Sequence, residues 1–200
     1  MSAFVDFYFD FASPYSYVAA HLIEEIAERH KRTVIWHPIV IGTAFKAVGG
    51  APLPTIPLRN DYVERDVSRL ARFVGLPYQH PSAYPIPTQH AACAFLWGQD
   101  RDPERAKEFA RKVFHAYFVE NRNIADLDVV LEIIESFGLE RAAAHEALTG
   151  SQLKERLKAE TELAISRGVF AAPFFIVDGE PFWGYSRLPI LKKWLAEGPF

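Results

Sequence analysis

The chain of 200 residues contains a single cysteine, Cys93. One cysteine excludes an intrachain disulfide. Its neighbours in AACAFLW are apolar, which predicts a small core residue rather than a reactive thiol. The chain therefore has no dithiol chemistry of its own.

Charge and hydropathy exclude two further classes of partner. The net charge of −3 comes without a basic tract, so electrostatics give no reason to propose a nucleic-acid partner. No apolar run approaches the roughly 18 residues of a membrane span. Asp6 and Asp10 interrupt the N-terminal apolar run, which argues against a signal peptide. These absences predict a cytoplasmic protein that binds neither nucleic acid nor membranes.

Common catalytic motifs are missing as well. The seven histidines show no metal-ligand spacing such as H-x-x-x-H. The segment VGGAP matches neither a phosphate-binding loop nor a dinucleotide fingerprint. No serine lies in a G-x-S-x-G context. The sequence therefore predicts no metal site and gives no support to a nucleotide-binding or serine-hydrolase function.

What is present is a globular composition, with 50% hydrophobic and 14% aromatic residues. AFVDFYF (3–9) predicts a strand, and apolar residues at helical spacing predict a helix over 14–31. TVIWHPIVI (33–41) predicts a second strand, so that a right-handed βαβ unit begins the chain. The Gly- and Pro-rich segment 42–61 indicates a boundary or an active-site loop.

The middle of the chain predicts helices, at about 63–74, 91–97, 103–120, 126–137, 140–148 and 151–167. PFFIV (173–177) and EPFWG (180–184) then flank Asp178-Gly179, a two-residue hairpin signal. A last helix is predicted over 187–196, with Ser186 as its N-cap.

This order of elements predicts an α/β protein with a thioredoxin-like fold, β-α-β followed by β-β-α, interrupted by a large all-helical insertion. We assign residues 1–42 and 168–200 to the thioredoxin-like domain and residues 43–167 to the helical insertion domain.

The stretch FDFASPYSY (9–17) lies where the first predicted strand turns into the first predicted helix. Ser13-Pro14-Tyr15-Ser16 has the spacing of C-x-x-C, with serine at both ends. In the thioredoxin arrangement this turn holds the redox pair, and the positive end of the helix dipole stabilises an anion there. A serine hydroxyl cannot replace a thiol, but it donates a hydrogen bond to the sulfur of another molecule. Two interpretations stay open: a site for a borrowed thiolate, or two ordinary helix-start serines.

Ala172-Pro173 directly precedes the third predicted strand. A proline there fits a cis peptide facing the redox turn, and it fits an ordinary strand-start proline equally well. Four aromatic residues are candidates for lining a pocket, with core packing as the alternative: Phe11, Tyr15, Tyr84 and Trp183.

Taken together, these motifs resemble the 2-hydroxychromene-2-carboxylate isomerase family and the related kappa-class glutathione transferases. The resemblance covers nearly the whole chain. It rests on FDFASPYSY (9–17), WHP (36–38), RNDYVERDVSRLARFVGLP (59–77) with its Tyr62, Asp66 and Arg69, PSAYPIPT (81–88) and RGVFAAPFFIVDGEPFWGYSRL (167–188).

The resemblance implies glutathione as the cofactor and Ser13 as the catalytic residue beside its sulfur. It also implies that the Ala172 backbone binds the cysteinyl part, and that Arg59 meets the glycyl carboxylate or the acid of the substrate. Tyr185 and Ser186 match the turn that holds the γ-glutamyl end.

Two positions depart from the family pattern. Relatives usually read W-G-x-D-R, with Asp at the position of Ser186, and carry an Asn in a G-N-x-P-P stretch where this chain has GGAPLP (49–54). An Asp pairs with the glutamyl ammonium, whereas Ser186 brings no charge. We therefore expect weak binding of glutathione or the use of another thiol.

The implied activity is a glutathione-dependent cis-trans isomerisation of 2-hydroxychromene-2-carboxylate, or a similar intermediate of aromatic catabolism, to trans-o-hydroxybenzylidenepyruvate. The expected partner is then a small aromatic carboxylate. Because relatives are often dimers, a homodimer is a further expectation. Three alternatives stay open: a kappa-like glutathione transferase, a disulfide oxidoreductase and a non-catalytic binding module. The oxidoreductase is nearly excluded because Ser13 and Ser16 cannot form a disulfide.

Overall fold

The structure, a computed structural model, describes residues 3–47, 49 and 59–200, without the side chains of Ala47, Arg59 and Asn60. The strands are β1 (Phe4–Phe9), β2 (Thr33–Pro38), β3 (Phe174–Val177) and β4 (Glu180–Trp183). The helices are α1 (Pro14–Glu28), α2 (Ile41–Ala47), α3 (Arg59–Val74), α4 (Gln89–Gln99), α5 (Pro103–Phe118), α6 (Leu127–Glu135), α7 (Arg141–Thr149), α8 (Gln152–Ser166) and α9 (Leu188–Glu197). A short 3₁₀ helix, Tyr185–Arg187, joins β4 to α9.

The sheet has the strand order β2-β1-β3-β4. The β1–β2 pair is parallel, with Phe7 opposite Trp36. Both β1–β3 and β3–β4 are antiparallel, with Phe175 opposite Phe7 in the first pair and opposite Phe182 in the second. The predicted βαβ unit and the predicted hairpin are therefore confirmed, and the insertion helices lie between β2 and β3 in the chain.

An aromatic core joins the sheet to the insertion helices. Phe7 packs edge-on against Trp36, with ring centroids 5.0 Å apart, and Phe9 packs against Phe95 of α4 at 5.3 Å. Phe11 lies 4.9 Å from Phe114 of α5 and is buried. Burying each such ring stabilises the fold by about 2–3 kcal/mol. Phe11 is thus a core residue and does not line a pocket.

The prediction of the second strand, over 33–41, is wrong at its C-terminal end. β2 ends at Pro38, and α2 begins at Ile41, where the sequence predicted irregular chain. Two distant side chains set this helix start: the Thr161 hydroxyl accepts from the Val40 N–H at 3.1 Å, and the Asp10 carboxylate accepts from the Ile41 N–H at 2.7 Å. Local pattern carries no signal of either bond.

The predicted N-cap of the last helix is also wrong. Arg187, not Ser186, is the N-cap of α9, because the Arg187 N–H donates to the Gly184 carbonyl at 3.1 Å and closes the 3₁₀ turn first. The division into the two predicted domains stays a prediction. None of the helices in the described ranges is long and apolar enough to cross a membrane.

Candidate active site

Ser13 forms the corner between β1 and α1. It is the N-cap of α1, with φ −89° and ψ 112°, and its Oγ accepts from the Ser16 N–H at 3.1 Å. Pro14 occupies the first turn, where its missing N–H removes no helix bond. A serine N-cap stabilises a helix by about 1 kcal/mol. This N-cap position places the hydroxyl at the positive end of the helix dipole.

The Ala172–Pro173 peptide is cis, which is one of the two interpretations that its position before β3 left open. It contacts the Ser13 turn directly, because the Ser13 Oγ donates its proton to the Ala172 carbonyl at 3.0 Å. Ser13 is only 6% exposed, but both residues line the same cavity. A ligand that accepts the Ser13 proton would leave the Ala172 carbonyl without this bond and able to accept another.

Asp10 fixes the turn between β1 and α1 through hydrogen bonds, a role that the sequence pattern did not predict. It is buried, and its carboxylate accepts three bonds from separate segments: from the Ala12 N–H at 2.8 Å, the Thr88 hydroxyl at 2.8 Å and the Ile41 N–H at 2.7 Å. Burial raises the pKa of Asp10, while the three donors favour its ionised form. A charged residue inside an apolar run was the available signal, because buried polar groups need partners.

A cavity of about 690 Å³ opens over Ser13, in the size range of small-molecule sites. Helices α2 and α3 line it with apolar side chains, namely Ile41, Phe45, Val63, Leu70 and Phe73. Tyr15, Tyr84 and Trp183 line it too, so three of the four aromatic candidates lie in the cavity wall. Phe73 is 83% exposed and Trp183 56% exposed, which leaves apolar surface at the site open to a ligand.

Asp66 on α3 is the centre of a polar cluster in the wall. It accepts hydrogen bonds from the Tyr15 hydroxyl and from Arg69, both at 2.9 Å. Burial works to raise the pKa of Asp66, but these two bonds outweigh it and hold the pKa below its ordinary value. The Asp66 carboxylate is therefore ionised and already paired.

The turn 184–187 also forms part of the cavity wall. Tyr185, Ser186 and Arg187 all line it, and Arg187 makes one long contact, 3.4 Å, to the Ser186 hydroxyl. Among the described lining residues the charged groups are Asp66, Arg69 and Arg187. Carboxylates of a ligand thus find guanidinium partners here, whereas an ammonium finds no unpaired acid.

The structure brings together four of the five predicted site residues: Ser13, Ala172, Tyr185 and Ser186 line one cavity. The fifth, Arg59, begins α3, but its side chain lies outside the described residues, as does most of GGAPLP (49–54). Within the described part of the chain, no group of acidic, histidine or cysteine residues is arranged to hold a metal ion.

Cys93 does not supply the missing thiol. It is buried in α4, as predicted, and is not among the residues that line the cavity. Burial raises the pKa of its thiol to about 11. A thiolate in this site therefore has to come from a bound molecule.

These features define the class of the protein: a thioredoxin fold whose redox turn carries serines. The chain matches the DsbA-like thioredoxin domain over residues 4–196. A 2-hydroxychromene-2-carboxylate isomerase of Sphingobium xenophagum is 30% identical to it over 200 residues, which cover 98% of this chain and 100% of that protein. The chain therefore belongs to the DsbA-like thioredoxin family and, within it, to the 2-hydroxychromene-2-carboxylate isomerase family.

Two further comparisons agree with this assignment. A glutathione s-transferase kappa 2 of Caenorhabditis elegans is 27% identical, covering 98% of this chain and 92% of that protein. A solved structure of 2-hydroxychromene-2-carboxylate isomerase matches with a TM-score of 0.88 at 27% identity, covering 96% of this chain and 94% of the other. The predicted family and fold are confirmed, and the relatives support an isomerase.

Proposed function

We propose that the protein is a glutathione-dependent cis-trans isomerase that converts 2-hydroxychromene-2-carboxylate, or a similar intermediate of aromatic catabolism, to trans-o-hydroxybenzylidenepyruvate. The observation that carries this proposal is the Ser13 hydroxyl, which lies at a helix N-terminus in the wall of a mostly apolar cavity and beside a peptide carbonyl. The names of the relatives support the reaction type.

The residues of the site fit a thiol peptide. The Ser13 hydroxyl turns from the Ala172 carbonyl to the sulfur, and the released carbonyl accepts the cysteinyl N–H. A free thiol has a pKa of about 8.5, and each unit of depression requires about 1.4 kcal/mol of anion stabilisation. One charge-assisted hydrogen bond contributes about 1.5–3 kcal/mol. Ser13 and the dipole of α1 thus lower a thiol pKa by about one to two units.

The remaining contacts belong to the two ends of the cofactor. We assign Arg59 to the glycyl carboxylate or the acid of the substrate, and Tyr185 and Ser186 to the γ-glutamyl end. When bound, glutathione supplies a thiolate nucleophile for the conjugated carbon of the ring-opened substrate. This addition turns the carbon–carbon double bond of the substrate into a single bond, which can rotate before the thiolate leaves again. The apolar wall of α2 and α3 holds the aromatic ring and excludes water from this step.

The test is an absorbance assay of 2-hydroxychromene-2-carboxylate isomerisation with and without glutathione. We expect the rate to depend on glutathione and to fall about 10- to 100-fold in Ser13→Ala, the loss that one charge-assisted hydrogen bond represents. Ser16→Ala is the matched control, because the Ser16 hydroxyl is buried, has no hydrogen-bond partner in the described structure and does not line the cavity. A Ser13→Ala variant as fast as the parent contradicts the proposal.

A kappa-like glutathione transferase is the second candidate, favoured by the kappa relative that covers 98% of this chain. Both activities need the same hydroxyl at position 13, so Ser13→Ala does not separate them. A transferase leaves the thioether in its product, whereas an isomerase returns the thiol. Stoichiometric consumption of glutathione with chlorodinitrobenzene, without isomerisation, supports the transferase.

A further inference from the structure

The tyrosine hydroxyls divide into two groups. Six of the eight tyrosines have a hydrogen-bonded hydroxyl, namely Tyr8, Tyr15, Tyr17, Tyr62, Tyr78 and Tyr117. The other two, Tyr84 and Tyr185, have no hydrogen-bond partner among the residues that the structure describes, and both line the cavity over Ser13. Buried or half-buried tyrosines normally satisfy the hydroxyl. These two phenols are therefore available to a ligand.

The Tyr84 ring is fixed by packing, whereas its hydroxyl has no hydrogen-bond partner among the described residues. The ring is half-buried and packs edge-on against His80, with centroids 5.0 Å apart. The preceding residue is fixed as well, because the Tyr117 hydroxyl donates to the Ala83 carbonyl at 2.8 Å. Burial and the charge of Asp10 raise the pKa of Tyr84, so the phenol keeps its proton and acts as a hydrogen-bond donor.

A reaction of the proposed type needs a donor that Ser13 does not provide. Negative charge develops on the ketone oxygen of the substrate when a nucleophile adds to its conjugated carbon, and it disappears when the nucleophile leaves. The single Ser13 proton is directed to the sulfur. Arg69 is paired with Asp66, and Tyr185 lies in the turn 184–187 that we assign to the thiol.

We propose that Tyr84 is a further catalytic residue, whose hydroxyl donates a hydrogen bond to the ketone oxygen of the substrate. This inference rests on the proposed function. The step needs no proton transfer, because the phenol keeps its proton throughout. Its effect is to stabilise the charge that exists only in the transition state and beyond, so it acts on kcat rather than on binding of the cofactor.

The first test is Tyr84→Phe, which removes one oxygen and leaves none of the described residues without a hydrogen-bond partner. Loss of one oxyanion-hole donor lowers kcat by about 100- to 1000-fold in a serine protease, and we expect about 100-fold here, with KM for glutathione unchanged. Tyr17→Phe is the matched control, because the Tyr17 hydroxyl donates to the Pro77 carbonyl and Tyr17 is not among the residues that line the cavity. We expect the control to retain the parent kcat within about twofold.

The second test needs no turnover and no glutathione. Trans-o-hydroxybenzylidenepyruvate is titrated into each protein, and its absorption band is followed. A hydrogen bond to the ketone moves the band to longer wavelength, so we expect a shift with the parent and Tyr17→Phe and none with Tyr84→Phe. The same shift, or the parent kcat, in Tyr84→Phe overturns the assignment of Tyr84 alone. A parent that does not isomerise overturns the proposed function and this inference with it.

Discussion

The hydroxyl and carboxylate groups that line the cavity differ in whether they already form hydrogen bonds within the protein. The Ser13 hydroxyl donates one bond, to the Ala172 carbonyl, that a ligand can replace. Tyr84 makes no hydrogen bond in the described structure, and Asp66 already accepts bonds from Tyr15 and Arg69. These differences decide which groups of a ligand the site recognises. They also explain why carboxylates, rather than an ammonium, find partners near Arg187.

The first prediction concerns the γ-glutamyl end. Ser186→Asp places a carboxylate in the turn 184–187, where none of the described lining residues offers an unpaired acid to the glutamyl ammonium. An exposed ion pair contributes up to about 1 kcal/mol, so we expect glutathione to bind about fivefold more tightly, measured by calorimetry. Ser186→Asn has nearly the same size without the charge and should show no gain. Equal affinity in all three proteins contradicts the assignment of this turn to the γ-glutamyl end.

Single residues also mark what sequence can predict. The N-cap role of Ser13 follows from its neighbours, because a serine before Pro14 is a local helix-start signal. The role of Asp10 does not follow from its neighbours, because its hydrogen-bond partners lie on segments that only the fold brings together. The proposed role of Tyr84 does not either, because the cavity beside it is formed by several such segments. Asp10 bonds to Thr88, which is 78 residues further along the chain.

At the scale of elements, Asp10 joins three that form the site. Its carboxylate binds the turn before α1, the start of α2 and Thr88 at the start of α4. Because α2 supplies Ile41 and Phe45 to the cavity wall, the position of that wall depends on one buried group. Such a group cannot be replaced by a partly matching one, since each donor left unpaired in the interior costs about 1–3 kcal/mol.

The second prediction follows from this arrangement. In Asp10→Asn the new amide NH₂ faces either the Ile41 N–H or the Ala12 N–H and the Thr88 hydroxyl, so that donors meet donors. We expect a loss of about 2–4 kcal/mol in the free energy of unfolding, measured by urea denaturation.

The matched control for Asp10→Asn is Asp102→Asn. Asp102 is the exposed N-cap of α5, where its carboxylate accepts from the N–H groups of Glu104 and Arg105. Because Asn caps a helix as well as Asp does, we expect a change below about 0.5 kcal/mol. Similar losses in the two variants would show that the three hydrogen bonds of Asp10 contribute no more to the free energy of unfolding than those of an exposed N-cap.

Elements differ in how far local pattern predicts them. Helices with a local cap and a clear apolar stripe were predicted within a few residues, as for α5, which begins after Asp102 as expected. Helix α2 was missed because its start depends on Thr161 and Asp10, which accept bonds from the N–H groups of Val40, the residue before the helix, and of Ile41, its first residue. The N-cap of α9 was misplaced because the turn 184–187 forms a 3₁₀ helix before it.

At the scale of the whole molecule, the chain has a thioredoxin fold, but serines occupy the two positions at which a redox pair of cysteines would lie. The chain belongs to the DsbA-like family, yet its redox turn reads Ser13-Pro14-Tyr15-Ser16. A fold positions a site without choosing its chemistry. Here the helix N-terminus and the cis Ala172–Pro173 peptide are present without cysteines, and the function proposed above takes the nucleophile from a bound thiol.

The third prediction is therefore that Ser13→Cys combined with Ser16→Cys gives a dithiol that reduces insulin in the presence of a thiol reductant. The Ser13 position lies at the helix N-terminus, which lowers a thiol pKa. The Ser16 position is buried, and its hydroxyl has no hydrogen-bond partner in the described structure, so a thiol replaces it without breaking a bond. The parent protein should not reduce insulin. Ser13→Cys alone, treated with oxidised glutathione, should exchange into a mixed disulfide, release one reduced glutathione and stop there, as detected by mass spectrometry. If the folded double variant forms no intramolecular disulfide, the turn has lost the geometry of a redox pair as well as its sulfur.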